Sequence, residues 1–349
     1  MAVAELTFGR EELAAAQDES QLSVVWRRFR RHKLAVVGLS IAMLLALTCF
    51  IGPVVSPYAA NKIEAGGVAY RGLKKLSPGT AVTLEWDRGV PERANDDRIV
   101  AFSTGWVGAK DPANEIEHRL YILGTDNSGR DTLTRLMQGG RVSLSLALIV
   151  VLIQQVLGTI IGAISAYYGG WVDSVIMRGV DFLITLPSLP IFMVLQVILR
   201  DRGIPGGSIG VLAVVFIALG WTGSARLVRG MVLSLKNQEF AEAARAMGAS
   251  DRRIVLRHLI PNALAPVLVS ATLAIGGIVV GEASLSYLGF GVQPPDPSWG
   301  NMLSNAQQLI LDQPWAVFYP GLAIFLTSLS FNFMGDALRD ALDPRGQIR

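Results

Sequence analysis

"EFAEAARAMGAS", Glu239 to Ser250, is a run of alanine and charge in a chain that is otherwise apolar. It falls between two hydrophobic stretches, so whether it sits in water or in a span decides how the chain is threaded. Ala241 to Met247 are nearly all strong helix formers. Gly248 fits the position after a helix where a left-handed residue is needed. Ser250 can N-cap a second helix from Asp251, which brings a negative charge to that helix's start. Pro261 then marks a turn or kink into the next apolar stretch. The spacing predicts two short helices joined by a tight turn at Gly248–Ala249. On the first, Phe240, Ala244 and Met247 share one face, and Glu239 and Glu242 share another. Ala243 and Ala244 are small enough to let another surface approach closely. Such a piece is either a connector lying on the membrane or a docking knob for a cytoplasmic partner.

The flanks place it. Of 349 residues, 51% are hydrophobic and 17% charged, with mean hydropathy +0.42; soluble domains carry about 25% charged residues. Leu34 to Val55 holds no charge over 22 residues, and Val142 to Tyr168 none over 27. A span needs about 20 apolar residues. The chain therefore reads as an all-α polytopic membrane protein with six transmembrane helices, at 34–55, 142–166, 182–199, 208–224, 263–282 and 316–335. Pro187 and Pro190 interrupt the third and predict a kink there. Leu34 to Val55 begins too late and runs too long for a cleaved signal peptide.

Lysine and arginine near the span ends set the orientation. "WRRFRRHK", Trp26 to Lys33, puts a basic anchor before the first span and the 1–33 tail in the cytoplasm. Segment 225–262 and the 336–349 tail are then cytoplasmic too. The first carries Arg226, Arg229, Lys236, Arg245, Arg252, Arg253 and Arg257, while 283–315 has no basic residue. The segment 56–141 falls outside, with 12 Lys and Arg against 11 Asp and Glu. Long external segments escape the charge rule. Its turn-rich pieces and the alternating "AVTLEW", Ala81 to Trp86, predict a small extracytoplasmic insertion of mixed structure. The remaining 142–335 forms a core of five spans around the 225–262 loop.

Several function classes drop out. Cys49, the one cysteine, lies inside the first span and reads as a small buried hydrophobe. His32, His118 and His258 are too scattered to suggest a metal. A net charge of +3 with basic residues beside spans argues against nucleic-acid binding. "GTDNSGRDT", Gly124 to Thr132, has two glycines at phosphate-loop spacing. However, Arg130 stands where lysine is required and Asp131 where a hydroxyl should bind magnesium. It reads as a glycine-hinged turn entering a helix, so the chain has no ATP site of its own and no catalytic residues. Asp181 and Glu282 are acids in or beside spans, where function is the first suspicion. Arg178, three residues before Asp181, can pair with it on a helix, and Glu282 lies at the outer end of span five, close to water. Both are expected to be structural or interfacial.

The order Glu242, Ala243, Ala244, then Gly248, then His258-Leu259-Ile260-Pro261 resembles the Glu-Ala-Ala loop of ABC importer permeases. That family's pattern ends Ile-x-Leu-Pro, so His258 and Ile260 depart from it, yet "RHLIPN" is similar to the version in the peptide/nickel branch. "LGTDNSGRDTLTRLMQGGRVSL" (123–144), "RGVDFLITLPSLP" (178–190) and "EASLSYLGFGVQPPDPSWGNML" (282–303) resemble the same branch. "WRRFRRHKLAVVGL" resembles the subunit with an extra N-terminal span. The insertion at about 60–118 is longer than the branch's norm.

The resemblance implies a type I importer fold and a non-catalytic subunit of a binding-protein-dependent importer in a bacterial or archaeal plasma membrane. It further implies a second homologous permease, two cytoplasmic ATPase subunits that bind the ATP and magnesium, and an external binding protein. The coupling contact would be Glu239, Glu242, Ala243, Ala244, Gly248 and Pro261. Peptides lead as substrate, with nickel complexes, opines and oligosaccharides as alternatives. Gln154, Gln155, Gln196, Gly276 and Gly277 are candidate pathway liners, although small residues also serve helix packing. A secondary transporter driven by an ion gradient would need inverted repeats and buried ion sites, and neither is legible.

Overall fold

The computed structural model describes residues 21–56, 77–85, 110–111, 116–202, 209–294 and 296–342. Helix α1 (Gln21–Arg31) precedes α2 (Lys33–Val55), the first span. At 1.5 Å per residue, 23 residues reach about 35 Å, enough for the roughly 30 Å hydrocarbon layer. Met43, Leu44, Leu47 and Val54 are exposed on α2, as expected of a helix bathed in lipid. Only its small residues Ala35, Gly38 and Cys49 are buried. A side chain at Gly38 would stand 2.8 Å from the Ser330 carbonyl oxygen, so glycine permits the close approach to the last helix. Cys49 packs among Leu144, Ala147 and Trp299.

The expected strand at 81–86 is found as β1 (Thr80–Glu85). It pairs antiparallel with β3 (Ile116–Tyr121), whose other edge holds β2 (Lys110–Asp111). The remainder of the 60–118 insertion, including "DRGVPERANDD", lies outside the described residues.

Helix α3 (Thr132–Tyr168) starts ten residues earlier than the apolar run that suggested span two. Asp131 explains the early start: its carboxylate accepts the Thr134 amide at 2.7 Å and the Thr134 hydroxyl at 2.6 Å, an N-cap. Burial pushes the Asp131 carboxyl above the usual carboxylate range, against those hydrogen bonds. The preceding "GTDNSGRD" is the predicted turn, with Gly124 and Gly129 at φ of 75° and 77°. Asp126 holds the turn by accepting the amides of Ser128 and Arg130 and the Arg130 guanidinium.

The third span is more sharply interrupted than a kink. Helices α4 (Gly170–Thr185) and α5 (Ser188–Asp201) meet at 89°. Leu186, at ψ 131°, takes the extended conformation that a residue before proline prefers. Helix α6 (Ile209–Leu235) packs along α3, where added side chains at Gly158 and Gly162 would fall 2.5 Å from Ser224 Cβ and 2.3 Å from the Ala225 carbonyl oxygen. Next come α7 (Glu239–Ala246) and α8 (Asp251–Ile254). A π-helical turn (Val255–Leu259) follows, then α9 (Ile260–Tyr287). Helix α10 (Trp299–Asn305) and a 3₁₀ turn lead to α11 (Pro314–Leu342). Among the described residues five helices are long and apolar enough to cross a membrane, and six if the bent α4–α5 pair counts as one.

Within the 1–33 tail, residues 21–31 form a packed helix: Phe29 is buried with Ala35, Ala337 and Ala341, and Val25 packs on the same cluster. One expectation needs correcting. The predicted second short helix of the loop is not separate, because Asp251 to Tyr287 runs as one 37-residue helix. Pro261 therefore marks no chain reversal. The π turn just before it, in which the Ile260 amide reaches the Val255 carbonyl, widens the helix where the proline ring would otherwise meet the Arg257 carbonyl. Asn262 Nδ2 donates to the His258 carbonyl at 2.6 Å, within the same turn.

Candidate functional site

The loop between α6 and α8 is built from backbone outward. Gly248 takes φ 77°. Its amide donates to the Arg245 carbonyl at 2.9 Å, and the Ala249 amide donates to the Ala244 carbonyl at 3.0 Å. This bond pair is a Schellman turn, which reverses the chain within two residues of the end of α7. Ser250 occupies the N-cap position of α8 without a side-chain hydrogen bond.

The faces of α7 differ in part from the sequence reading. Ala241 and Ala244 are buried against Ala163 and Ala166 of α3, Val228 and Val232 of α6, Ile254, Leu259 and Val267. Ala244 is thus an anchor inside the chain rather than a point of approach for a partner. Met247 does not join it: the helix ends there and the side chain is 81% exposed. Glu239, Glu242, Ala243 and Ala246 are exposed as well. The outward surface is two carboxylates at the first turn, small residues behind them and one thioether at the tip.

Polar contacts fix α7 from the side. Arg245 donates to the Lys236 carbonyl at 3.0 Å and lies 5.9 Å from the Tyr167 ring centre. Tyr167 in turn donates to Asp251 at 2.6 Å, and Lys236 Nζ donates to the Ala166 carbonyl at 2.7 Å. About two turns up α6 from Lys236, Arg229 grips Asp173 of α4 through two hydrogen bonds, at 2.6 Å and 2.5 Å. The end of α3 and the start of α4 therefore brace the loop. Sequence spacing alone does not show this brace, although Tyr167 and Asp173 flank the Gly169–Gly170 break.

The other singled-out residues scatter. Asp181 pairs with Arg226 of α6 instead of Arg178, because α6 lies alongside α4. Gln154 Nε2 donates to the Phe216 carbonyl at 2.7 Å, and Gln155 Oε1 accepts the Ser224 hydroxyl at 2.8 Å. Both amides are engaged in α3–α6 packing within this chain. Gln196 is buried on α5, and an added side chain at Gly276 would lie 3.2 Å from Ser328 Cα on α11. Gly277 faces open space.

Glu282 is not close to water. It is 1% exposed and accepts hydrogen bonds from the hydroxyls of Ser143 (3.1 Å), Ser286 (2.6 Å) and Ser298 (2.8 Å). Ser143 lies on α3 and Ser298 caps α10, so one carboxylate ties three elements together. Trp299 reinforces the tie by donating its indole N–H to the Leu136 carbonyl at 2.9 Å. Nearby, a cavity of about 440 Å³ opens between Asp126, Arg130 and Arg135 on one side and Met302 to Leu309 on the other.

Comparison with known proteins bears on these features. A family model described as the binding-protein-dependent transport system inner membrane component matches residues 158–347. A second, described as the N-terminal TM domain of oligopeptide transport permease C, matches residues 20–70. The dipeptide transport system permease protein of Bacillus subtilis is 32% identical over 337 residues, 96% of this chain and 88% of the relative. The oligopeptide transport system permease protein of Haemophilus influenzae is 44% identical over 228 residues, 64% of this chain and 70% of the relative. A glutathione transport system permease protein of Pectobacterium atrosepticum is 34% identical over 320 residues, covering 92% and 90%. Among solved structures, an inward-facing methionine ABC transporter aligns to 60% of this chain and 97% of its own, at 22% identity and TM-score 0.48.

Proposed function

Given that the chain belongs to the binding-protein-dependent inner membrane components, in the dipeptide and oligopeptide permease branch with an N-terminal transmembrane domain, we propose that it carries di- or oligopeptides inward and receives its driving force at Glu239 to Gly248. Such permeases are non-catalytic, multi-pass subunits of ABC importers, which work with ABC ATPases and a substrate-binding protein. On our reading two ATPase subunits dock from the cytoplasm, a second permease completes the pathway, and both termini face the cytoplasm.

The observation that carries the proposal is the construction of α7. Eight residues are too few to hold a helix unaided. Here the helix is fixed by buried Ala241 and Ala244, a Schellman turn and the Arg245 contacts, while Glu239, Glu242, Ala243 and Met247 stay exposed. A rigid helix with an exposed outer face at the joint of α6 and α9 suits the transfer of movement from a docked protein to the spans. Glu239 and Glu242 lie at its positive end, so a partner groove bearing a basic side chain would meet them. The peptide reading is supported by the names of the relatives; nickel complexes, opines and oligosaccharides are the alternative cargoes. Family membership replaces the ion-gradient reading.

The test is uptake by the reconstituted transporter carrying Glu242→Arg. Normal insertion and assembly with ATP hydrolysis uncoupled from uptake is the expected result. Unchanged coupling at normal protein level would defeat the assignment.

A further inference from the structure

Helix α1 and the start of α2 hold a cluster of cations that the coupling loop does not use. From Gln21 to Lys33 the chain has Arg27, Arg28, Arg30, Arg31 and Lys33 and no acidic residue. Arg30, Arg31 and Lys33 are exposed, and Trp26 beside them is 54% exposed while stacking on buried Phe29, with ring centres 5.9 Å apart. Phe29 and Val25 lock α1 onto Ala337, Ala341 and Leu338 of α11, which holds the cations in fixed positions. The acids near them on α11 are Asp340, whose carboxylate is 3.8 Å from His32, and exposed Asp336; Arg339 adds a further cation. Among the described residues the cluster keeps a positive excess.

Its depth follows from its neighbours. Lys33 is the first residue of α2, and Leu34, Val36 and Val37 directly after it are 49%, 41% and 47% exposed. Apolar side chains on a lipid-facing span lie in hydrocarbon, and four residues of helix rise only about 6 Å. The cations therefore stand at headgroup level, where an exposed indole is also most stable.

We propose that Trp26, Arg30, Arg31 and Lys33 form a binding surface for the phosphate-bearing headgroups of anionic phospholipids. The lipid clamps α1 against the end of α11. This rests on the membrane placement of α2 alone and is independent of the role of α7. A net positive cluster at this depth attracts anionic lipid, each cation near the surface contributing roughly a fivefold enrichment.

The test uses the full transporter in phosphatidylcholine nanodiscs containing a minor fraction of brominated lipid, either phosphatidylglycerol or phosphatidylcholine. The readout is quenching of the emission lost in Trp26→Phe, which separates Trp26 from the other tryptophans. Brominated phosphatidylglycerol is expected to quench at least about fivefold more effectively per mole than brominated phosphatidylcholine. The combined Arg30→Gln, Arg31→Gln, Lys33→Gln variant, which keeps Arg27 and Arg28 as the topology signal, should lose that preference. Equal quenching by both lipids, or a preference that survives in the triple variant, would overturn the proposal. So would Trp26 emission that responds to removal of the ATPase subunits and to neither lipid, since the cluster would then face a protein.

Discussion

Replacing Gly248 with valine isolates the turn that ends α7. The position has φ 77°, and a side chain built there meets nothing within 4 Å. The penalty is therefore backbone conformation alone, with no clash to relax. A left-handed residue with a Cβ costs about 1–2 kcal/mol, and a β-branched one sits at or beyond the top of that range. The chain can instead leave the left-handed region, but it then gives up the Gly248–Arg245 and Ala249–Ala244 hydrogen bonds. At about 0.5–1.5 kcal/mol net each, that exit costs about 1–3 kcal/mol. Both routes come to about 2 kcal/mol, roughly a 30-fold rise in the open population of the turn. Hydrogen exchange on the assembled transporter should show that loss of protection in residues 244–249, with the interior of α9 unchanged. Gly248→Asn, which tolerates the left-handed region, should remain within about threefold of wild type. Uptake per ATP hydrolysed should fall in the order Gly, Asn, Val. Equal protection for Val and Gly would refute the conformational argument.

Glu282→Leu leaves the Ser143, Ser286 and Ser298 hydroxyls without their common acceptor. A loss of about 3 kcal/mol is expected, read as a lower unfolding temperature in detergent, with Glu282→Gln milder because its amide oxygen still accepts. Gly162→Leu forces a side chain toward the Ala225 carbonyl, 2.3 Å from where its Cβ would stand. Separation of α3 from α6 should reduce the amount of assembled protein, as measured by membrane extraction and gel filtration, while Gly179→Leu, at an open position, should not.

The sequence made the membrane-spanning character, the 124–132 turn, the Gly248 cap and the strand near 81 legible, because each rests on local chemistry. Charge-free runs, paired glycines and a short alternation need no knowledge of what packs where. What escaped depends on neighbours distant in sequence. Glu282 looks solvent-facing beside the water-rich end of a span, and only folding brings Ser143 and Ser298 to it from 139 and 16 residues away. Asp181 has a plausible partner three residues off, but α6 supplies a better placed one in Arg226. Ala243 and Ala244 are chemically identical, and the inward or outward choice between them is set by where α3 and α6 lie. The paired glutamines read as pathway polarity because a polar group in a span is conspicuous; they are satisfied across one helix–helix contact instead. Helix α1 is hidden by its charge, since four arginines and a tryptophan suggest an anchor more readily than a packed helix.

The central claim is that the exposed side of α7 is a protein contact and its buried side is not. A photo-crosslinking amino acid placed singly at Ala243, Met247 or Glu242, with Gly277 on α9 as an exposed control away from the loop, tests it in assembled transporter. The account predicts covalent capture of the ATPase subunit from the three α7 positions, with the yield changing when ATP is added, and none from Gly277. Capture of lipid alone from Ala243 and Met247, or equal capture of the ATPase from Gly277, would contradict it.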